Sequence, residues 1–234
     1  YSAGIDRLTH QPLSFSVSET TEGVHIHIID AELMGKGEKE KKDLYIEGVQ
    51  NNGIINHYEY IINSEGTIEI RHVLKPEGKM PLWFPRIGLT LTVSDALDQV
   101  KWYGRGPQEN YPDRKTGYPM GIYASTVQAM YEPYLMPQDY GLRTDVRWLQ
   151  LTTDKGIGLQ FKMNEWFNFN IYPYSTDNLT KAMYTYQLQK QKGMTLNLDY
   201  ATTGVGCTAR GVFGAYKAMP QEYRRTISIR PMMK

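Results

Sequence analysis

The chain has 234 residues, with 26 Lys and Arg against 25 Asp and Glu, a formal net charge of +1 at pH 7. So even a balance argues against the broad basic face of a nucleic-acid binder, though not against a local patch, and the single cysteine, Cys207, excludes an internal disulfide framework or a cysteine-based zinc site. No apolar run reaches the roughly 20 residues of a membrane span, so neither nucleic acid nor membrane is expected as a partner. At 41% hydrophobic content the chain can bury a core without staples. It does not begin with Met and is read as a processed or excised piece, so the missing leader says little about compartment.

Aromatic usage is dominated by tyrosine, 18 against 6 Phe and 4 Trp, which suits sheet surfaces and binding grooves alike. In chain order, His25–Asp30, Asn56–Ile61, Thr67–Val73, Leu89–Val93, Thr195–Tyr200 and Thr226–Arg230 alternate apolar and polar residues, which predicts half-buried strands. Turn chemistry separates them at Asn51-Asn52-Gly53, Ser64-Glu65-Gly66, Pro76-Glu77-Gly78 and Asp154-Lys155-Gly156. The charge run Gly35–Lys42 reads as a solvated hairpin loop. Pro81–Pro85 is an apolar knot at a strand entrance or at a seam with a neighbouring domain. The one helical signal is a short capped segment, Ser175–Lys181. Two glycine-rich irregular stretches remain, Gly104–Gly121 and Thr202–Gly214. Short strands at this spacing predict an all-β, antiparallel sandwich or barrel.

His25 and His27 share one face of a strand and are spaced to share a metal, but the sequence shows no third ligand, and a packing or surface role is the expectation. No metal and no cofactor is expected. Cys207 reads as a tolerated thiol. In Gly104–Arg114, two arginines and two carboxylates lie close together, a composition that makes either a loop locked by ion pairs or a rim that hydrogen-bonds a polyhydroxylated ligand.

The stretch Trp102-Tyr103-Gly104-Arg105-Gly106-Pro107-Gln108-Glu109-Asn110-Tyr111-Pro112-Asp113-Arg114 closely resembles the signature of the C-terminal domain, or small chain, of large β-galactosidases of glycoside hydrolase family 2. Tyr131–Arg143 is similar to that family's Y-x-P-Y-x-x-P-x-x-x-G-x-R segment. Phe167–Ile171 with Tyr174-Ser175, Leu196–Tyr200 and Thr203–Gly206 resemble further pieces in the same order. The likeness runs from about residue 83 to 223, after a β-rich beginning. It implies a galactose mutarotase-like β-supersandwich over residues 1–234 as a single domain. It also implies a lobe that breaks no bonds itself, completes the substrate pocket of a barrel elsewhere in a bacterial hydrolase of the cytoplasm or periplasm, and joins oligomer contacts. Its expected partners are a β-galactoside or related glycan, the other domains of the hydrolase and further copies.

On this reading the expected sugar-facing residues are Arg105, Glu109, Asn110, Arg143 and Arg210, with Trp166 as the stacking aromatic, while Asp113 and Arg114, and as an alternative Glu109 with them, hold the loop rigid. Many members of the family carry a Trp a few residues after Gly204-Val205-Gly206; here Cys207-Thr208-Ala209-Arg210 follows, so either Arg210 or a nearby aromatic takes that place or the pocket differs in this chain. Glu165, which follows Asn164, mimics a catalytic pair of the barrel but sits on the wrong domain. No catalytic residue is expected. The rivals are a stand-alone mutarotase or epimerase, which needs a His and a carboxylate meeting in a cleft, and a purely structural oligomerisation module.

Overall fold

The structure is a computed structural model and describes residues 8–34, 52–206 and 211–233. The charge run Gly35–Lys42, Cys207 and Arg210 lie outside the described residues. Contacts divide the chain into two compact units, residues 1–84 with 219–228, and residues 85–218 with 229–234. Among the described residues no helix is long and apolar enough to cross a membrane.

The first unit is built on four consecutive strands, β1 (Thr9–Thr20), β2 (Gly23–Leu33), β3 (Gly53–Ile62) and β4 (Ile68–Glu77), each antiparallel to the next. The β3–β4 turn forms as its sequence predicts: Gly66 takes a φ of 76°, which glycine adopts without a side-chain clash, and Asn63 and Thr67 close the turn. The expected break at Pro76 falls later. Pro76 pairs with Ile54 inside β4, and Gly78 makes the exit. β1 was not among the predicted strands. It is exposed along its whole length, including Phe15 and Val17, and so is not half-buried.

The second unit holds β5 (Arg86–Val93), β6 (Gln99–Arg105), β7 (Met120–Thr126), β8 (Arg143–Thr152), β9 (Gly158–Tyr172), α1 (Thr176–Lys181) and β10 (Met194–Thr202). The pairing order is β5-β10-β9-β8-β6-β7, all antiparallel. β11 (Tyr223–Met232) is divided between the units. Pro85 ends the apolar knot and admits the chain to β5, with Phe84 buried and Leu82 exposed. The core is a period-two construction: Phe167, Phe169 and Ile171 of β9 meet Leu196 and Leu198 of β10 and Leu149 and Leu151 of β8. A fully buried side chain of this size contributes about 1.5–3 kcal/mol.

β10 departs from the half-buried expectation, because Met194 to Tyr200 are buried on both faces. Its second face carries Thr195, Asn197 and Asp199, which can leave water because each finds hydrogen-bond partners inside the unit. Tyrosines form a second cluster, with Tyr140, Tyr172 and Leu179 at its centre and Tyr131, Tyr134 and Tyr174 against it. α1 supplies Leu179 and starts as predicted, with Ser175 accepting from the Asn178 N–H at 3.0 Å.

Candidate functional site

The irregular stretch is shorter than its glycines suggest. Gly104 and Arg105 complete β6, Met120 opens β7, and residues 106–119 form the loop, with a single bridge between Tyr111 and Arg114. Glu109 is its hub, at 5% exposure. Its carboxylate accepts from Arg114 at 2.7 Å, the Gly141 N–H at 2.9 Å, the Tyr111 hydroxyl at 3.1 Å and the Tyr134 hydroxyl. Burial pushes the Glu109 carboxyl up, but these four donors outweigh it and hold it below the ordinary carboxylate value.

Asn110, wholly buried, takes the Thr144 N–H and hydroxyl on its side-chain oxygen and donates its backbone N–H to Leu142. Arg143, 3% exposed, donates to the Gly141 carbonyl and lies 5.4 Å from the Trp102 ring centre. Burial lowers its guanidinium to about 10. Arg105 and Lys115 both hold the Asp145 carboxylate, at 2.6 and 2.8 Å, and Arg105 also donates to the carbonyls of Lys115 and Tyr118. The loop is therefore locked by ion pairs. Glu109, Asn110, Arg105 and Arg143 make internal bonds here, and Arg114 joins them through Glu109.

Asp113 closes the loop onto the segment after β10, accepting the Val205 and Gly206 N–H groups at 3.0 and 2.7 Å. This clamp needs glycine at 204, where a Cβ would run into the Asp113 carboxylate. Gly204→Ala should therefore cost about 2 kcal/mol, the worth of a charge-assisted hydrogen bond or two. Asp113→Ala should cost a similar amount and the double variant little more than either, as read by calorimetric melting of all three.

Trp166 stands where β8 and β9 fall out of register. Two residues, Thr144 and Asp145, oppose Asn168 alone, and Asp145 takes a φ of 56°, a left-handed conformation that Asp tolerates better than most residues. One residue further, Arg147 alone faces Met163, Asn164, Glu165 and Trp166. The excursion leaves Trp166 58% exposed, with the Arg147 guanidinium 3.4 Å from the ring centre. One face of the indole is occupied by a cation. Glu165 is exposed in the same excursion.

A third feature was missed by sequence reasoning. Arg86 of β5 binds Asp199 of β10 through two nitrogens, at 3.0 and 2.5 Å, and also reaches Asp139 at 3.3 Å and Asn170 at 3.1 Å. Asn197 donates to Asn170 and to the Tyr172 hydroxyl and accepts from Thr90. Burial works against the Arg86 charge, but Asp199 and Asp139 overcome it and keep the guanidinium protonated. The signal was the alternation itself: Asn168, Asn170, Asn197 and Asp199 line the polar positions of β9 and β10, which half-burial would have left in water.

Of the five histidines, His72 is buried, its Nε2–H donating to the Asn56 side-chain oxygen at 3.0 Å, and burial lowers it to about 4. His25 meets Glu59 at 3.4 Å, and His27 reaches the same oxygen at 4.0 Å. A third polar group therefore does stand beside the histidine pair, contrary to the sequence expectation, because β3 brings Glu59 opposite His27.

The family pattern described as beta galactosidase small chain matches residues 9–229. The chain belongs to the beta-galactosidase small chain family. This small-chain match takes in β1 to β4, which the sequence motifs left unassigned. The chain is 38% identical over 147 residues to a beta-galactosidase of Priestia megaterium, covering 63% of this chain and 14% of that one. It is 31% identical over 207 residues to one of Vibrio cholerae, covering 88% of this chain and 18% of that one. The small-chain domain thus spans less than a fifth of the length of these relatives. Among solved structures, a GalM/aldose epimerase homologue from C. elegans aligns with 94% of this chain and 69% of its own length at 12% identity and a TM-score of 0.46.

Proposed function

We propose that residues 1–234 act as one accessory lobe of a larger retaining β-galactosidase, touching the sugar but breaking no bond. The observation that carries this reading is the small-chain match over nearly the whole chain, in relatives named beta-galactosidases that are several times longer. In this reading Trp166 supplies the apolar sugar contact, its other face held by Arg147. Arg105, Glu109, Asn110 and Arg143 shape the neighbouring loop from inside, and Asp113 and Arg114 lock it. Arg210 keeps the sugar-facing role its sequence position implies. The lobe's partners are a β-galactoside, the other domains of the hydrolase and, through the assembled enzyme, further copies.

Retaining cleavage needs two carboxylates roughly 5 Å apart, one of them with a raised pKa. Glu109 and Asp145 are held below their ordinary values by cationic and hydroxyl donors, which unsuits those two for proton donation near neutrality, whereas burial and the Glu109 charge push the neighbouring Glu132 up. Incubation of the purified chain with a chromogenic β-galactoside should give no turnover above buffer. Turnover abolished by changing one of the chain's own acids, such as Glu165→Gln, would overturn the reading. The mutarotase rival has its own assay: polarimetry should show galactose anomers interconverting at the buffer rate, whereas an acceleration lost in Glu59→Gln would favour that rival.

A further inference from the structure

The β2–β3 pair carries a group of side chains that the sugar reading does not use. His25 and His27 are two residues apart and so project to one face of β2, and the register puts Glu59 of β3 directly opposite His27. His25 Nδ1 lies 3.4 Å from Glu59 Oε1, His27 Nε2 lies 4.0 Å from it, and the three ligand atoms all fall within 4.8 Å of one another. Zinc–nitrogen and zinc–oxygen bonds of about 2.1 Å in tetrahedral array separate their ligand atoms by about 3.4 Å. One pair already has that spacing, and the others close to it by small torsions of exposed or half-buried side chains.

The surroundings favour the same use. Glu59 Oε2 is held by Arg71 at 3.0 Å, and Arg71 is anchored by Glu69 at 2.7 Å, so Oε1 is the oxygen left facing both imidazoles. A hydrogen-bonded outer partner that fixes a ligating carboxylate in this way is the usual second layer of a metal site. The His25 side chain is only 12% exposed, so a cation held at its Nδ1 is largely shielded from water on that side. The two rings lie 6.4 Å apart and within 27° of parallel, so they present their edges alike.

We propose that His25, His27 and Glu59 bind one divalent cation of the zinc class on this face of β2 and β3. Two neutral imidazoles and one carboxylate suit zinc or copper(II) and not the hard, oxygen-seeking magnesium or calcium. Three protein ligands leave a coordination position for water or for a group from another molecule. The bound ion ties β2 to β3 independently of the sugar-facing loops of the second unit.

The test is a zinc titration of the chelator-stripped full chain against a chromophoric competitor. One saturable site is expected, weakened about tenfold or more by each of His25→Ala, His27→Ala and Glu59→Gln, unchanged by His10→Ala and not displaced by millimolar magnesium. A readout that needs no variant is diethylpyrocarbonate labelling followed by peptide mass spectrometry: zinc should protect His25 and His27 and leave His10 reactive. Absence of a saturable site, equal binding by the three variants, equal weakening by His10→Ala, or labelling indifferent to zinc would each overturn the proposal.

Discussion

Arg86→Ala should lower the stability of the chain by about 3–5 kcal/mol, the cost of leaving a buried charge without its partner. Asp199 is 2% exposed and has both oxygens on the Arg86 guanidinium, and Asn170 also gives one acceptor to it. Truncation would strand a carboxylate between β5 and β10 at the level where Thr202 leaves the sheet. At roughly 2–4 °C per kcal/mol for a chain of this size, melting should fall by about 10 °C. Arg86→Lys should recover part of the loss, because it restores the charge but not the two-pronged geometry. Arg86→Met combined with Asp199→Leu should lose less than Arg86→Met alone, since the pair then goes together. A melting temperature unmoved by Arg86→Ala would show that the network contributes nothing to stability.

Glu109→Ala carries the second large effect. Four donors converge on this carboxylate, and two of them, the Tyr111 hydroxyl and the Gly141 N–H, are buried and would be left unsatisfied. The cost should again be about 3–5 kcal/mol at pH 7. It has a pH signature. Glu109 titrates in the fold below its ordinary value of 4.5, so its contribution is complete above that pH and disappears as pH falls through the lower folded value. Melting curves of the parent and Glu109→Ala from pH 7 to pH 3 should therefore converge on the acid side. Asp145, held down in the same manner by Arg105 and Lys115 after burial is overcome, remains in both proteins and should keep both acid-sensitive. A gap that stayed constant down to pH 3 would mean that the loss comes from the missing side chain's bulk and not from its charge.

How much of this was legible in the sequence follows from what alternation can and cannot say. The six predicted strands all form, because a period of two is a local property of the chain. The capped turn at Ser175 and the turn at Gly66 form for the same local reason. Alternation cannot say what covers each face. Asn197 and Asp199 look like solvent-facing residues of β10 until β5 and β9 are seen to bring Arg86 and Asn170 against them. The same blindness hid Glu59, which joins His25 and His27 only through the β2–β3 register.

The arginines and carboxylates of the 106–119 loop were recognisable as a set, but composition left their role open between rim and lock. Burial of Glu109, Asn110 and Arg143 brings out the lock. The β8–β9 excursion that exposes Trp166 has no sequence signature of its own, since Met163-Asn164-Glu165-Trp166 contains neither Gly nor Pro. β1 carries the same local signal, its Leu13, Phe15 and Val17 alternating with serines.

Steady-state kinetics of Trp166→Ala in the full-length protein is the most direct test of the proposed accessory lobe that touches sugar and does no chemistry. KM for a β-galactoside should rise about fivefold with kcat changed less than threefold, since a stacked aromatic face is worth on the order of 1 kcal/mol in binding. Unchanged kcat and KM would remove the sugar contact from this lobe. A kcat lowered by several orders of magnitude at constant KM would place part of the chemistry within it.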